Sequence, residues 1–203
     1  MSLSLAAAAR AYAAHASPQI VLSALAVTLG ARLALGQWSG GDLAVSAGVL
    51  LYWPFMEWGV HVYVLHSTPR TWLGRRLYAA FGARHRRHHR QPADVELAFL
   101  PVRGIVAALG AYAALSLLLP AWELRLTLLA GVSALGVVYE WTHFLCHVPY
   151  RPRTRWFRNV RRIHRLHHYQ NERAWYGVTT HLGDRLLRTF PRPQAVARLS
   201  PDR

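Results

Sequence analysis

Residues 124–148 read LRLTLLAGVSALGVVYEWTHFLCHV. From Leu126 to Tyr139 the stretch carries no charge, and it then ends in Glu140, His143 and His147. An apolar run of this length crosses a hydrocarbon core, which needs about 20 residues. His143 and His147 are four apart and share one helical face, with Glu140 three residues before the first. The segment therefore reads as a membrane helix whose end carries metal-ligating side chains.

Three more stretches are long enough to cross: Pro18 to Gly36, Asp42 to Leu65 and Pro101 to Leu119. The composition agrees, with 53% hydrophobic residues and only nine acidic ones in 203. A soluble protein would have to bury all four stretches against one another and pair Arg32, Glu57, Glu140 and the embedded histidines. The expected fold is an all-α integral membrane protein. It has four transmembrane helices and a cytoplasmic helical cap carrying a histidine-rich di-metal site. Residues 1–17 contain one arginine and lack the long apolar core of a cleaved signal. They are expected to remain as a cytoplasmic or interfacial helix ahead of a membrane domain at 18–189, with a tail at 190–203.

All 24 basic residues are arginine, which reflects a GC-rich genome rather than chemistry. Their placement is informative, because positive charge is retained in cytoplasmic loops. Seven lie between Ser67 and Leu97 and thirteen between Pro149 and Arg203, whereas the links Gln37 to Gly41 and Pro120 to Glu123 have none. Both termini are expected in the cytoplasm, the membrane being a bacterial inner membrane. A net charge of +15 raises nucleic-acid binding. Arginines beside membrane spans set topology and touch anionic head groups instead, and no nucleic-acid motif is present. Cys146, the only cysteine, excludes an intrachain disulfide and is expected to serve packing.

Ten of the twelve histidines fall into four clusters: His61 and His66; His85, His88 and His89; His143 and His147; and His164, His167 and His168. His15 and His181 lie outside them. Ten imidazoles exceed the four to six ligands of one metal and imply two metals or a surplus. For any one cluster, interfacial histidines or another basic stretch is a competing reading. The arginine-based topology, drawn without reference to histidine, sends all four clusters to one side. Within each triad, helical geometry lets the side chains converge. His61 and His66 are five apart and diverge by about 140° on an ideal helix. They flank one site only if the helix end distorts there; otherwise they reach different metals. Glu57 lies four residues before His61, and Glu140 three before His143. Each carboxylate is expected to accept the second ring N–H of the histidine on its own helix, as metal-bound imidazoles commonly require, the competing reading being a pair with an arginine near the interface.

A histidine set without partnering cysteines argues against structural zinc, and HExxH is absent. Redox iron fits better. Soluble di-iron bundles use repeated Glu-x-x-His, which occurs here only once, at Glu140 and His143. A metal transporter or sensor is the alternative from another class, but transport needs ligands near the bilayer midplane.

The blocks EWGVHVYVLH, HRRHH, YEWTHFLCH, IHRLHHY and YGVTTHLGDRLLRT, in this order over about Glu57 to Thr189, resemble the fatty acid hydroxylase and sterol desaturase superfamily. Within it the chain is most similar to the fatty-acid 2-hydroxylase branch. The resemblance implies that all ten clustered histidines are ligands of two iron ions, for which zinc can substitute in purified protein. It also implies O₂ as co-substrate, two electrons per turnover and a lipid substrate. The implied reaction is hydroxylation of a fatty acyl chain, 2-hydroxylation in particular. A sterol or carotenoid hydroxylase or a lipid desaturase is the alternative, because one di-iron scaffold supports both outcomes. Fungal and animal 2-hydroxylases carry a fused cytochrome b5 domain and no such segment is seen here, so a separate ferredoxin or cytochrome b5-like donor with its reductase is expected. Glu140 stands where the family often has aspartate. Gly183 stands where it often has tryptophan, removing a large side chain from that closing turn. Asp184 is expected to be a structural acceptor for a helix or an arginine. Trp53, Trp58, Tyr63, Trp141, Tyr150 and Trp156 suit either a lipid route or membrane anchors.

Overall fold

A computed structural model of the chain describes residues 2–191. Among these the structure is helical, with no β-strand and one isolated bridge between Leu3 and Tyr150. Four helical segments are long and apolar enough to cross a membrane: Ala16–Leu35, Gly40–Leu65, Val95–Ser116 and Trp122–His147. The protein is an all-helical integral membrane protein. Most of the tail expected at 190–203 lies outside the described residues.

The elements in chain order are α1 (Leu5–Ala13), α2 (Ala16–Leu35) and α3 (Gly40–Gly59), which runs into a π-helical turn at Val60–Leu65. Next come α4 (Trp72–Leu77), a second π-helical turn at Tyr78–Gly82, and α5 (Ala83–Arg90). They are followed by α6 (Val95–Ala98), α7 (Val102–Ser116), α8 (Trp122–His147), α9 (Arg155–Tyr169) and α10 (Leu182–Leu186). The ends follow ordinary capping chemistry. Gly36 stops α2 in the left-handed conformation, φ 69°. Thr71 and Thr154 cap α4 and α9, accepting from the N–H of Gly74 at 3.0 Å and of Phe157 at 3.1 Å. Pro101 stands at the N-cap of α7 and separates it from α6.

The chain forms two compact units, one from Met1–Ala8, Pro54–Ala98 and Thr142–Arg203, the other from Ala9–Trp53 and Phe99–Trp141. In the second unit, α8 presents Gly131 and Gly136 to Val49 of α3 and Val21 of α2, whose methyl groups lie 3.4 and 3.3 Å from where a Cβ would stand. Small residues at such contacts let membrane helices approach closely. Arg32 is 1% exposed and fully engaged on one side: its Nη2 meets Asp42 Oδ1 at 2.7 Å, and its Nε meets Thr127 Oγ1 at 2.9 Å. The Trp38 ring stacks on the guanidinium, 3.8 Å from ring centroid to Cζ. The membrane setting requires such pairing of a buried charge.

The first unit holds the ten clustered histidines. Its loop after α9 centres on Trp175, which is fully buried against Ile163 and Ala174 and adopts φ 58°. A left-handed conformation costs a non-glycine residue about 1–2 kcal/mol. Burial of the indole and the bond from Trp175 N–H to Thr189 O, 2.9 Å, hold it there. The result is a loop whose carbonyls point at ring nitrogens.

Candidate metal centre

The ten clustered histidines sort into two pentads, each able to hold one metal ion. One comprises His61, His66, His85, His89 and His167, the other His88, His143, His147, His164 and His168. Within each pentad one potential ligand atom per residue lies within 4.8 Å of all the others. Each pentad takes a pair from the end of a span, an i, i+4 pair from one capping helix and a single histidine from the other. Helix α5 gives His85 and His89 to the first pentad and His88 to the second; α9 gives His164 and His168 to the second and His167 to the first.

Helix geometry explains the split. Residues four apart diverge by about 40°, while the intervening one stands about 60° to the other side of the first. Each HxxHH therefore faces two ways, and the triads do not converge as units. His61 and His66 do converge, because the helix distorts there. His66 N–H donates to His61 O at 2.9 Å, an i to i+5 bond of the π-helical turn, and the two rings stack with centroids 5.1 Å apart. Single π turns of this kind recur at functional sites.

The ring nitrogens are presented by backbone carbonyls. The Nδ1–H of His61 donates to Tyr176 O at 2.5 Å, His143 to Ala98 O at 2.7 Å, His147 to Pro92 O at 3.0 Å and His167 to Ala174 O at 2.7 Å. A carbonyl can only accept, so Nδ1 carries the proton and Nε2 keeps its lone pair for a metal. In the first pentad the Nε2 atoms face one another, His85 to His66 and to His89 both at 3.1 Å. An all-imidazole donor set with tautomers fixed by these carbonyls suits iron, zinc or copper and does not suit calcium or magnesium.

Direct contact of the glutamates with these histidines, expected from spacing, is not what the structure shows. Glu57 accepts from the N–H groups of Val178 and Thr179, both at 2.6 Å, and from Thr179 Oγ1 at 2.9 Å. Glu140 accepts from Ser17 Oγ at 2.5 and 2.6 Å and from Leu100 N–H at 3.1 Å. Each carboxylate instead secures the segment whose carbonyl orients a histidine: Val178 follows Tyr176 by two residues, and Leu100 follows Ala98 by two. Asp184 completes the first arrangement. It is fully buried and accepts from Tyr176 N–H at 2.9 Å, Gly177 N–H at 2.7 Å and Thr189 Oγ1 at 2.6 Å. It is a structural acceptor, but for a loop rather than for the helix or arginine expected. Gly183 beside it is required by close approach, since a Cβ there would lie 2.5 Å from Pro54 O and 3.0 Å from Trp58 Cβ.

Sequence reasoning missed Tyr176 as a neighbour of the site; its ring centroid is 5.4 Å from those of His61 and His167 and 5.5 Å from that of His66. It opens the block YGVTTHLGDRLLRT, but no spacing ties it to the histidines. Neither His15, against Phe99, nor His181, against Phe190, joins a pentad. Cys146 is buried. Of the aromatic residues, Tyr63 and Trp156 are exposed, Trp53 and Tyr150 are buried, and Trp58 donates to Thr189 Oγ1 at 2.9 Å.

Outside the spans, burial is the first cause of a lowered pKa at His66 (to about 3), His89 (to about 2) and His167 (to about 4), and it lowers His85, His88, His164 and His168 as well. Neighbouring histidines add to the effect except at His167, where the Ala174 carbonyl opposes it. These rings are neutral near pH 7, the form that binds metal. In the unfolded chain the same groups protonate below about pH 6.5, so stability falls as pH drops from there toward the folded values. The thermal unfolding midpoint of metal-free protein is expected to fall markedly between pH 7 and pH 5. An unchanged midpoint would mean that the rings are not buried in neutral form.

Four membrane-crossing helices and two pentads of imidazoles define a membrane protein whose histidines could hold metal ions. Residues 46–189 match the fatty acid hydroxylase family, and the chain belongs to that family. It is 29% identical over 169 residues to a dihydroceramide fatty acyl 2-hydroxylase of Arabidopsis thaliana, covering 78% of this chain and 65% of that protein. It is 26% identical over 142 residues to the fatty acid 2-hydroxylase of Mus musculus, covering 70% of this chain and 38% of the mouse protein. The match thus spans less than two thirds of these relatives. The solved structure of full-length scs7p, in which only the hydroxylase domain is visible, shares the fold, with a TM-score of 0.73, 22% identity and coverage of 89% of this chain and 67% of that one.

Proposed function

We propose that the protein is an O₂-dependent hydroxylase of membrane lipids that acts on a fatty acyl chain, at carbon 2 by preference, with one iron ion in each histidine pentad. The observation that carries this reading is the division of ten imidazoles into two adjoining five-ligand sets. The names of the plant and mouse relatives support the substrate class. When bound, the two irons supply the redox chemistry by which O₂ and two electrons hydroxylate an unactivated C–H bond.

The chain's own residues bind and orient. Tyr176, Ala174, Ala98 and Pro92 hold four imidazoles by their Nδ1–H groups. Glu57, Asp184 and Glu140 hold the segments that carry three of those carbonyls. Burial keeps the rings neutral and limits water around the site. The arginine distribution supports a cytoplasmic position for the pentads and both termini, in a bacterial inner membrane. The two electrons come from a ferredoxin or cytochrome b5-like protein.

Lipid analysis tests the reading. Membranes of cells producing the protein with a reductase system are expected to contain acyl chains heavier by one oxygen atom and bearing a 2-hydroxyl. Loss of two hydrogens would make the protein a desaturase, and an unaltered acyl profile with both metals bound would remove the lipid activity.

A further inference from the structure

The two pentads approach each other most closely at one ring pair. His89 of the first and His168 of the second are stacked, with centroids 4.2 Å apart and planes 19° from parallel. The other ring contacts between the pentads fall between 5.7 and 6.2 Å. Six of the ten histidines are buried; His66, His89, His147 and His168 are partly so, the His89 side chain being 6% exposed. Both open on one cleft of about 480 Å³, whose walls include Arg86, Arg90, Tyr169 and Glu172. The stack is thus where a histidine of each pentad lines one cleft.

The cleft is basic because the helices that form it are. Helices α5 and α9, ARHRRHHR and RWFRNVRRIHRLHHY, contain no acidic residue. Arg87, Arg90, Arg158, Arg162 and Arg165 on them are exposed. Glu172 is the one carboxylate in the cleft, and it lies 4.0 Å from His89 Nδ1. The metal chemistry proposed above consumes two electrons, and a chain with a single cysteine has no dithiol to supply them. Electrons must arrive from outside, and electron transfer weakens steeply with distance. They enter most readily where ligands of both metals lie near the surface.

We propose that this cleft is the docking site of an acidic one-electron carrier protein, and that its electrons enter through the stacked His89 and His168. The proposal rests on the two-iron reading of the pentads. In each encounter the carrier is oxidised by one electron and the metal centre reduced by one, so two encounters supply the two electrons of a turnover. Complementary charge serves mainly to orient and speed such encounters, and it makes them salt-sensitive.

The test uses the full chain in nanodiscs of phosphatidylcholine, which carry no anionic lipid, and a plant-type [2Fe–2S] ferredoxin as the acidic probe. Binding is expected to weaken with added salt, and Arg86→Glu with Arg90→Glu to raise the Kd about tenfold or more. Arg10→Glu with Arg70→Glu, the same change in net charge outside the cleft, is expected to shift it less than about threefold. In iron-loaded protein the cleft variant should slow reduction by the ferredoxin by the same factor and leave reduction by dithionite unchanged. Equal effects of the two double variants, or no effect of either, would overturn the docking site. So would a cleft variant that binds ferredoxin normally but loses adsorption of phosphatidylglycerol vesicles, since the cleft would then meet lipid. Weakened binding with an unaltered rate of ferredoxin reduction would overturn electron entry at the stack. If the metal reading fails, no iron is reduced in any variant, yet the binding measurement still decides the docking site.

Discussion

Replacing His85 and His89 together with alanine is expected to lower bound metal from two ions per chain to one, and replacing His164 and His168 together to do the same at the other pentad. The four-fold variant should bind none. Each double change leaves three imidazoles in one pentad and five in the other. Three neutral nitrogens without a carboxylate hold a divalent metal far less tightly than five. Hydroxylation should fall at least about a hundredfold in either double variant, since loss of an outer partner alone costs 10–100-fold. Metal analysis of purified protein decides the matter. Loss of both ions from either double variant would mean one shared site, and retention of both would mean that the pentads do not bind metal.

The second large effect is expected at residues that touch no metal. Asp184→Asn must place an amide NH₂ against a donor, because Tyr176 N–H takes one carboxylate oxygen and Gly177 N–H the other; Glu57→Gln takes the charge from the oxygen that accepts from both Val178 and Thr179 N–H. Each change loses a charged acceptor, whose hydrogen bonds are worth about 1.5–3 kcal/mol apiece, and at Asp184 a donor also faces a donor. The loop so loosened carries Ala174 O and Tyr176 O, the acceptors for His167 and His61, and both belong to the first pentad. Metal affinity of that pentad is expected to weaken 10–100-fold while the second keeps its ion. Titration with a chelator resolves the two sites, and circular dichroism confirms that the helices persist. Equal weakening at both pentads would mean that these carboxylates support the fold at large and not the local presentation of His61 and His167.

The parts of this protein legible in its sequence were those set by local rules. Hydropathy and length gave four spans, because apolar runs between arginine-rich and arginine-free links have few other solutions. Histidine spacing found all ten members of the pentads. The allotment of His88 and His167 to the opposite pentad from their neighbours was also present in HxxHH, as the angle between i+3 and i+4, but convergence within a triad was the simpler reading. The π turn at Val60–Leu65 was not legible. No residue type signals an i to i+5 bond, and the turn appears only once His61 and His66 are held to one site. The glutamates show the same limit. Spacing finds a partner one turn away, yet the carbonyl that takes His61 Nδ1–H comes from Tyr176, 115 residues along the chain. Gly183 was read as an absence of tryptophan, whereas Pro54 and Trp58 leave no space for any side chain.

The most direct test of a two-iron lipid hydroxylase is the fate of labelled oxygen. Iron-loaded protein in lipid membranes, supplied with a reductant and ¹⁸O₂, is expected to place one oxygen-18 atom in the hydroxyl of each hydroxylated acyl chain, and to do so only while both pentads hold iron. Hydroxyl oxygen drawn from water, or no label in any lipid while both irons are bound and reducible, would contradict the account.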